Sequence, residues 1–395
     1  MNANFLPAAS QLLAPLVTSL VVSLISTPAH AQVERVWLTN QTSDPQSVVI
    51  NWETTAPTAS VVHYRSGDQK GEAVEPGERT LHHVEIPTPQ AGALYTYSIG
   101  DGPDQTAEAS FKTPPAKGEL RVAVVGDWGF AKGKDLVALK KEDVHVLMTA
   151  GDNVPSLHEG SMTGTAAFSA LIDQHPDLFR SVIFMPILGN HDREVKSRGP
   201  RPPAEAVYDV EATAYREFFA LPGKEWCWHF DIPAFDVRFI ALDLNHITDF
   251  GTTWQTCHAW DESSEQFQWY KKLMTESKPA YVFTLNNERQ STVAGKTKGL
   301  WHEQFRKGSA LVTGFGYFSE RAELEGGLPY FNTCLKGDGS PYKDAKSTFF
   351  ASEDNYLLLT FVAGEDKMKA QIKNLKGEVL DTREIAKRSM AAGQP

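Results

Sequence analysis

Short apolar runs separated by turn residues fill the segment between residues 33 and 111. The runs lie at residues 48–52, 60–64, 83–86 and 94–99. Strands of this length at regular spacing are typical of a small all-β sandwich. Proline, glycine and lysine then interrupt the pattern at residues 113–118, where we place a domain boundary. The pattern therefore predicts an N-terminal β-sandwich domain over residues 32–114.

Longer apolar runs alternate with helical segments in the rest of the chain. The predicted strands are residues 120–125, 144–149, 182–188, 237–242, 281–285 and 310–313, and the helical segments are residues 134–141 and 264–274. Two further runs, at residues 356–362 and 368–372, predict closing β-structure. Continuous apolar strands alternating with helices indicate a buried α/β sheet, so we predict a second domain over residues 119–385.

The first 31 residues have the pattern of an export signal. They carry no charge, are apolar from residue 16 to residue 25, and end in Ala29-His30-Ala31. This pattern predicts a signal peptide cleaved after Ala31, which implies a secreted or periplasmic protein. The alternative is a retained membrane anchor, although Pro15 and the short apolar core argue against a membrane-spanning helix.

Charge and cysteine content narrow the possible partners and pairings. The formal net charge of −11 would repel a phosphate backbone, so we expect no nucleic-acid partner. In an oxidising compartment, Cys227, Cys257 and Cys334 allow one disulfide. Cys227 and Cys257 flank one segment and are the favoured pair, and we favour either a disulfide or buried thiols over metal binding.

Four predicted strands of the α/β domain end in loops that contain glycine. The loops are residues 126–129, 151–153, 189–192 and 314–317. They bring Asp127, Asp152 and Asn190 to the carboxyl ends of strands, where ligand sites of α/β sheets lie. Carboxylate and amide oxygens at such an edge suit a hard cation.

The motifs Gly126-Asp127-Trp128-Gly129, Gly151-Asp152-Asn153 and Gly189-Asn190-His191-Asp192 resemble the metal motifs of calcineurin-like metallophosphoesterases. Among these, the chain is similar to purple acid phosphatases with an N-terminal fibronectin-like domain. The resemblance implies a fibronectin type III-like sandwich followed by a four-layer αββα metallophosphoesterase domain.

The resemblance also implies roles for the motif residues. Asp127 would bind one metal ion, Asp152 would bridge two, and Asn190 would bind the second. His191 would face the phosphate and protonate its leaving group. The alternative for His191 is that it and Asp192 only brace the loop.

The sequence departs from the family pattern at other ligand positions. Pro155 replaces a tyrosine, Asn286 replaces a histidine, and Phe315 and Tyr317 replace both histidines of the closing motif. Phe315 cannot bind a metal, whereas Tyr317 either binds iron as phenolate or repacks, and we favour repacking. The remaining oxygen ligands suit at most one weakly held magnesium or calcium ion.

We therefore predict a pseudo-phosphatase that is weak or inactive and has a binding or structural role. A phosphorylated small molecule or a protein is the expected partner. The alternative is an active acid phosphatase-like phosphomonoester hydrolase with an atypical dinuclear set of iron, zinc or manganese. The aromatic run at residues 226–230 either lines a ligand groove or packs in the core, and we favour the core.

Overall fold

The computed structural model describes Met1 and residues 31–102, 105–157, 163–195, 208–247, 254–338 and 343–388. Nearly all of the predicted signal peptide, residues 2–30, therefore lies outside the described residues. None of the described helices is long and apolar enough to cross a membrane.

Eleven strands form the larger sheet of the described chain. They are β1 (Val33–Thr39), β2 (Ser47–Ser66), β3 (Gln69–Pro87), β4 (Leu94–Ile99), β5 (Ala109–Lys112), β6 (Glu119–Val125), β7 (Val146–Thr149), β8 (Ile183–Met185), β18 (Asn355–Val362), β19 (Lys367–Asn374) and β20 (Val379–Ala386). Their order is β20-β19-β18-β6-β7-β8-β1-β2-β4-β5, with β3 beside β2. Strands β6, β7, β8 and β1 run parallel, and the flanking pairs are antiparallel.

Seven strands form the second sheet of the described chain. They are β9 (Trp228–Ile232), β10 (Val237–Ala241), β13 (Tyr281–Asn286), β14 (Ala310–Thr313), β15 (Ser319–Glu323), β16 (Pro329–Asn332) and β17 (Ser347–Ala351). Their order is β17-β15-β16-β14-β13-β10-β9, with β10, β13, β14 and β16 parallel. Two short strands, β11 (His246–Ile247) and β12 (Gln255–Thr256), pair separately.

Seven α-helices connect the strands within the described residues. They are α1 (Val137–Lys141), α2 (Ala166–Gln174), α3 (Pro176–Phe179), α4 (Thr213–Phe218), α5 (Glu265–Thr275), α6 (Gln290–Thr297) and α7 (Leu300–Phe305). Ser264 caps the N-terminus of helix α5, because its hydroxyl accepts a hydrogen bond from the Phe267 amide at 3.3 Å.

The two sheets pack face to face, and helices cover the far side of the second sheet. Phe361 of β18 contacts the rings of Phe239 on β10 and Phe283 on β13. The next residue of β10, Ile240, instead belongs to a core with Trp301 of α7 and residues of α5. Successive residues of a strand point to opposite faces, so β10 is buried on both, as its continuous apolar sequence predicts.

From residue 94 onwards, each strand predicted from an apolar run is confirmed within one to three residues, and so is helix α5. The runs at residues 48–52 and 60–64 instead lie in one long strand, β2, and the run at residues 83–86 is the end of the longer strand β3. Short polar-rich strands such as β15, β17 and β20 were not predicted. The larger sheet also continues across the expected domain boundary, because Leu38 of β1 pairs with Ile183 of β8. The division into residues 32–114 and 119–385 stays a prediction.

The favoured Cys227–Cys257 disulfide is wrong in this structure, where all three cysteines are buried thiols. Cys227 lies in the main core, whereas Cys257 packs with Val195 and Tyr208 in a separate small cluster. Proximity in sequence therefore did not bring the two sulfur atoms together.

Candidate metal centre

The first three motif loops lie side by side because they follow adjacent parallel strands, β6, β7 and β8. The Asp127 amide donates to the Gly151 carbonyl at 3.1 Å, and the Gly129 amide donates to the Asp152 carbonyl at 2.9 Å. Asp127 and Asp152 both have left-handed backbones, with φ of 52° and 54°. The fold therefore brings the two predicted carboxylate ligands to one edge of the sheet.

Two glycines allow this close approach of loops. A Cβ atom on Gly189 would lie 2.1 Å from the Asp152 amide nitrogen, and one on Gly126 would lie 2.7 Å from the Gly314 Cα. Neither position has room for a side chain, so glycine is required for the third loop to reach the second and for the fourth to reach the first.

Asp192 holds the second and third loops together. Its carboxylate accepts hydrogen bonds from the Asn153 amide group at 2.7 Å, the Gly189 amide at 2.7 Å and the Val154 amide at 3.1 Å. Burial and the nearby Asp152 charge raise the pKa of Asp192 to about 7, against the effect of these hydrogen bonds. This network matches the bracing role that the sequence left open for this residue.

Asp127 has the features of a cation ligand. Its side chain is 1% exposed, and its Oδ2 atom has no hydrogen-bond partner among the described residues. Burial raises the pKa of Asp127 well above its usual value, the charges of Asp152 and Asp192 raise it further, and Lys336 opposes them. A positive charge at this carboxylate would therefore be stabilising.

His191 contacts Pro155, the residue that replaces the tyrosine of the family pattern. Its Nδ1 atom lies 2.7 Å from the Pro155 carbonyl oxygen, and its backbone amide donates to Asp152 Oδ1 at 3.1 Å. A carbonyl oxygen only accepts, so Nδ1 carries a proton. A leaving group would then take its proton from Nε2 of a doubly protonated ring.

Asn287 reaches the motif loops, whereas Asn286 turns towards its own chain. Asn286 Oδ1 accepts a hydrogen bond from the Glu288 amide at 2.8 Å. Asn287 Nδ2 donates to the Ala150 carbonyl at 3.0 Å and the Gly314 carbonyl at 2.8 Å. The sequence interpretation assigned the ligand position to Asn286 and missed this neighbour. The strand β13 extends one residue beyond its predicted end, to Asn286, so Asn287 is the first residue after it.

The closing motif forms an aromatic contact with a lysine. Tyr317 has a left-handed backbone, with φ of 63°, and its ring packs edge-on against Phe130 with centroids 5.4 Å apart. The Lys336 ammonium lies 4.4 Å from the Tyr317 ring centroid and 4.7 Å from the Phe130 centroid. The Phe315 backbone is hydrogen-bonded through both its N–H and its C=O to the Asn332 side chain. Sequence reasoning had no signal for Lys336, which lies outside every motif.

Comparisons with known proteins place this architecture. No protein-family model matches the chain. The chain is 25% identical over 262 residues to probable purple acid phosphatase 20 of Arabidopsis thaliana, covering 60% of this chain and 55% of that protein. It is 33% identical over 107 residues to purple acid phosphatase 21 of the same plant, covering 24% of each. Purple acid phosphatase PPD1 from yellow lupin (Lupinus luteus) seeds superposes with a TM-score of 0.68 at 14% identity, covering 90% of this chain and 74% of that one.

The chain is purple acid phosphatase-like. It has a mixed-sheet α/β fold that matches the fold of the yellow lupin purple acid phosphatase. The chain spans about half the length of the first curated relative and about a quarter of the second.

The residues of this purple acid phosphatase-like site do not fit a dinuclear transition-metal centre. Zinc and iron sites need nitrogen, sulfur or several charged oxygen ligands, and no group of three or more His, Cys, Asp or Glu among the described residues is arranged to hold a metal ion. Asp127 and Asp152 supply charged oxygens, and the other candidate donors are amides. No catalytic step through two metals follows from this donor set.

Three further histidines in loops or helices near the second sheet lie in contacts of their own. His246 is hydrogen-bonded through Nδ1 to the buried Glu288, His302 lies 2.9 Å from Gln290 Oε1, and His258 stacks on Trp226 with centroids 3.7 Å apart. His158 lies outside the described residues. These contacts favour structural roles over recruitment as replacement ligands.

The aromatic run at residues 226–230 agrees in part with each of the two predicted alternatives, core packing and a ligand groove. Trp226 and Trp228 are buried in the main core, which the sequence favoured. They also line a cavity of about 190 Å³, together with Trp269 of α5.

Proposed function

We propose that this purple acid phosphatase-like chain is a pseudo-phosphatase that keeps the fold and loops of the family without a tight dinuclear metal centre. Its role is then binding or structural. A phosphorylated small molecule or a protein partner fits the position of the motif loops at the carboxyl ends of strands. Nucleic acid is an unsuitable partner for a chain of net charge −11.

The observation that carries this proposal is the chemistry of the replaced ligand positions. Phe315 and Pro155 have no side-chain donor atom. The Tyr317 ring is packed against Phe130 and an ammonium group. The Oδ1 atom of Asn286, the atom that would bind a metal, already accepts a hydrogen bond from the Glu288 amide at 2.8 Å. Metal affinity of the family type is difficult to reconcile with these contacts.

The alternative is an active phosphomonoester hydrolase with an atypical metal set, and one observation favours it. Asp127 Oδ2 is buried and has no hydrogen-bond partner in the described chain, as expected of an atom that binds a cation. With Asp152 and an amide oxygen, it suits a weakly held magnesium or calcium ion more than iron, zinc or manganese.

The finer features of the fold and location belong to this proposal. We propose that the N-terminal β-rich region is fibronectin type III-like and that the rest is a four-layer αββα domain. The face-to-face sheets and the helices outside the second sheet support the second assignment. Secretion rests on the sequence of the first 31 residues.

Elemental analysis of the purified protein, with hydrolysis of p-nitrophenyl phosphate assayed in parallel, tests the proposal. We expect substoichiometric iron, zinc and manganese, and no turnover above that of an Asp152→Ala variant. Asp177→Ala is the matched control, because its carboxylate is exposed and pairs only with Arg180 on the surface. Two bound transition metals with turnover that Asp152→Ala abolishes and Asp177→Ala retains would refute the pseudo-phosphatase assignment.

A further inference from the structure

A cavity of about 190 Å³ lies beside β9, the edge strand of the second sheet. Three tryptophans line it: Trp226 just before β9, Trp228 at the start of β9, and Trp269 on α5. Within the described residues, none of the four motif loops contributes to the lining. The cavity is therefore a second concave site, separate from the candidate metal centre, and the function proposed above does not use it.

The size and the walls of the cavity suit a single aromatic ring. An apolar cavity of about 150 Å³ is large enough to hold benzene. A volume of about 190 Å³ therefore leaves room for one ring with a small substituent. Indole walls offer a large apolar surface and the face and edge contacts that aromatic rings prefer. Trp269 and His229, both in the lining, already form such a pair, with ring planes 25° apart and centroids 6.4 Å apart.

Two walls of the cavity are held in place by groups behind them. The Trp226 ring stacks on His258 with centroids 3.7 Å apart, and His258 lies 3.3 Å from the buried Asp243 carboxylate. The Gln266 side chain accepts from the Asp243 amide at 2.7 Å and donates to the Asp243 carbonyl at 3.0 Å. A ligand would not have to order these two walls, which favours binding.

The lining also includes a hydrogen-bond donor that is not used. Trp228 is 1% exposed, and its Nε1 atom has no hydrogen-bond partner among the described residues. The indole N–H group can only donate, and a buried one usually finds an acceptor. A ligand oxygen placed beside this N–H group would complete the hydrogen bond, whereas a purely apolar ligand would leave it unpaired.

The charges at the mouth of the cavity favour an uncharged ligand. Lys224 and Glu265 are both exposed lining residues, and they form an ion pair at 2.5 Å. The Lys224 ammonium also lies 5.5 Å from the Trp226 ring centroid, so this ring already has a cation beside it. Because the ion pair leaves no net charge at the mouth, neither an anion nor a cation is attracted there.

We propose that this cavity binds a small uncharged aromatic ring that carries an acceptor oxygen. The ring lies against the tryptophan walls, and the oxygen accepts a hydrogen bond from the Trp228 indole N–H group. The proposal does not depend on the candidate metal centre, because the two sites share no residue. It therefore stands or falls separately from the pseudo-phosphatase assignment.

Phenol and toluene test the proposal, because they have nearly the same shape and only phenol has an oxygen. Each is titrated into the ¹⁵N-labelled protein, and the indole N–H signals of its nine tryptophans are followed by NMR. We expect phenol to bind at least about threefold more tightly than toluene, because only phenol completes the hydrogen bond. Phenol should also move the Trp228 N–H signal downfield. Methyl α-glucoside, an uncharged ring without aromatic character, should not bind.

Two variants assign the binding to this cavity. Trp228→Phe keeps an aromatic ring and removes the N–H group, so it should abolish the preference for phenol over toluene. Trp269→Ala removes a partly buried wall and should weaken both probes by about fivefold or more. Trp254→Ala is the matched control, because Trp254 is also partly buried and lies outside the lining.

Three results would overturn the inference. The first is equal affinity of the wild-type protein for phenol and toluene, or binding of neither. The second is a preference for phenol that persists in Trp228→Phe, or an equal loss of affinity in the Trp269→Ala and Trp254→Ala variants. The third is binding of methyl α-glucoside in place of phenol, which would make the cavity a sugar site.

Discussion

A buried ion pair connects the third motif loop to the second sheet, and breaking it should destabilise the protein with a distinctive pH dependence. Arg193 directly follows the third motif, and its guanidinium pairs with Asp243, two residues beyond β10. Neither side chain is exposed to solvent. We expect Arg193→Met to lower the free energy of unfolding at neutral pH by about 3–5 kcal/mol, because the buried Asp243 carboxylate loses its arginine and keeps only His258 and the Asn245 hydrogen bonds.

The pH dependence follows from the pKa of Asp243. Burial opposes its ionisation, but the Arg193 charge and the His258 side chain lower the pKa from 3.8 to about 2. A folded pKa below the unfolded value contributes stability above the unfolded pKa, and this contribution is lost as pH falls towards 2. The shift corresponds to about 2 kcal/mol, the same order as the lower end of the mutational cost.

In Arg193→Met, burial still disfavours the ionised form of Asp243, and the arginine charge no longer opposes this effect. The pKa of Asp243 in the folded variant should therefore rise above 3.8. The variant then recovers stability as pH falls through the raised pKa, because protonation removes the buried charge. The difference in unfolding free energy between wild type and variant should therefore shrink between about pH 7 and about pH 4.

Urea denaturation followed by tryptophan fluorescence measures this difference at each pH. An Arg193→Met/Asp243→Leu double variant should lose less stability than the sum of the two single variants, because it removes both charges. Arg180→Met is the surface control: Arg180 pairs with the exposed Asp177, and its loss should cost at most about 1 kcal/mol. A constant difference across pH, together with additive single variants, would refute the reasoning.

Three further outcomes test the site and the core. Gly189→Ala should lower the free energy of unfolding, measured in urea, by about 3 kcal/mol, because a Cβ atom at this position has no space. Gly295→Ala in α6 should raise it by about 0.5–1 kcal/mol, because no atom lies within 4 Å of the added Cβ. Equal stability of the two variants would contradict this reasoning. Histidine at positions Asn287, Phe315 and Tyr317 together should raise bound zinc or manganese in elemental analysis, and an unchanged metal content would argue against these as the ligand positions. All three cysteines should react with a thiol reagent only after unfolding, whereas a native disulfide would leave one reactive thiol.

The sequence predicted the parts of this structure that depend on local pattern. Apolar runs located the central strands, and glycine-containing ends of adjacent parallel strands located the loops of Asp127 and Asp152. The sequence did not predict that β1 pairs in parallel with β8, because pairing between strands far apart in the chain leaves no periodic signal in either strand. The assignment of Asn286 to the ligand position stays a prediction, and the sequence did not indicate that its neighbour Asn287 reaches the loops, because a strand's end is the least certain part of such a prediction.

The contacts of Asn287 and Asp192 show why the loops persist without imidazole ligands. Asn287 bonds the second and fourth loops through backbone carbonyls, and Asp192 bonds the second and third. These hydrogen bonds hold the loop backbones together, as metal ions shared between the loops would. Restoring histidines alone therefore adds ligands to loops that are already held in place, so the histidine substitutions should raise metal content without lowering the Tm of the metal-free protein.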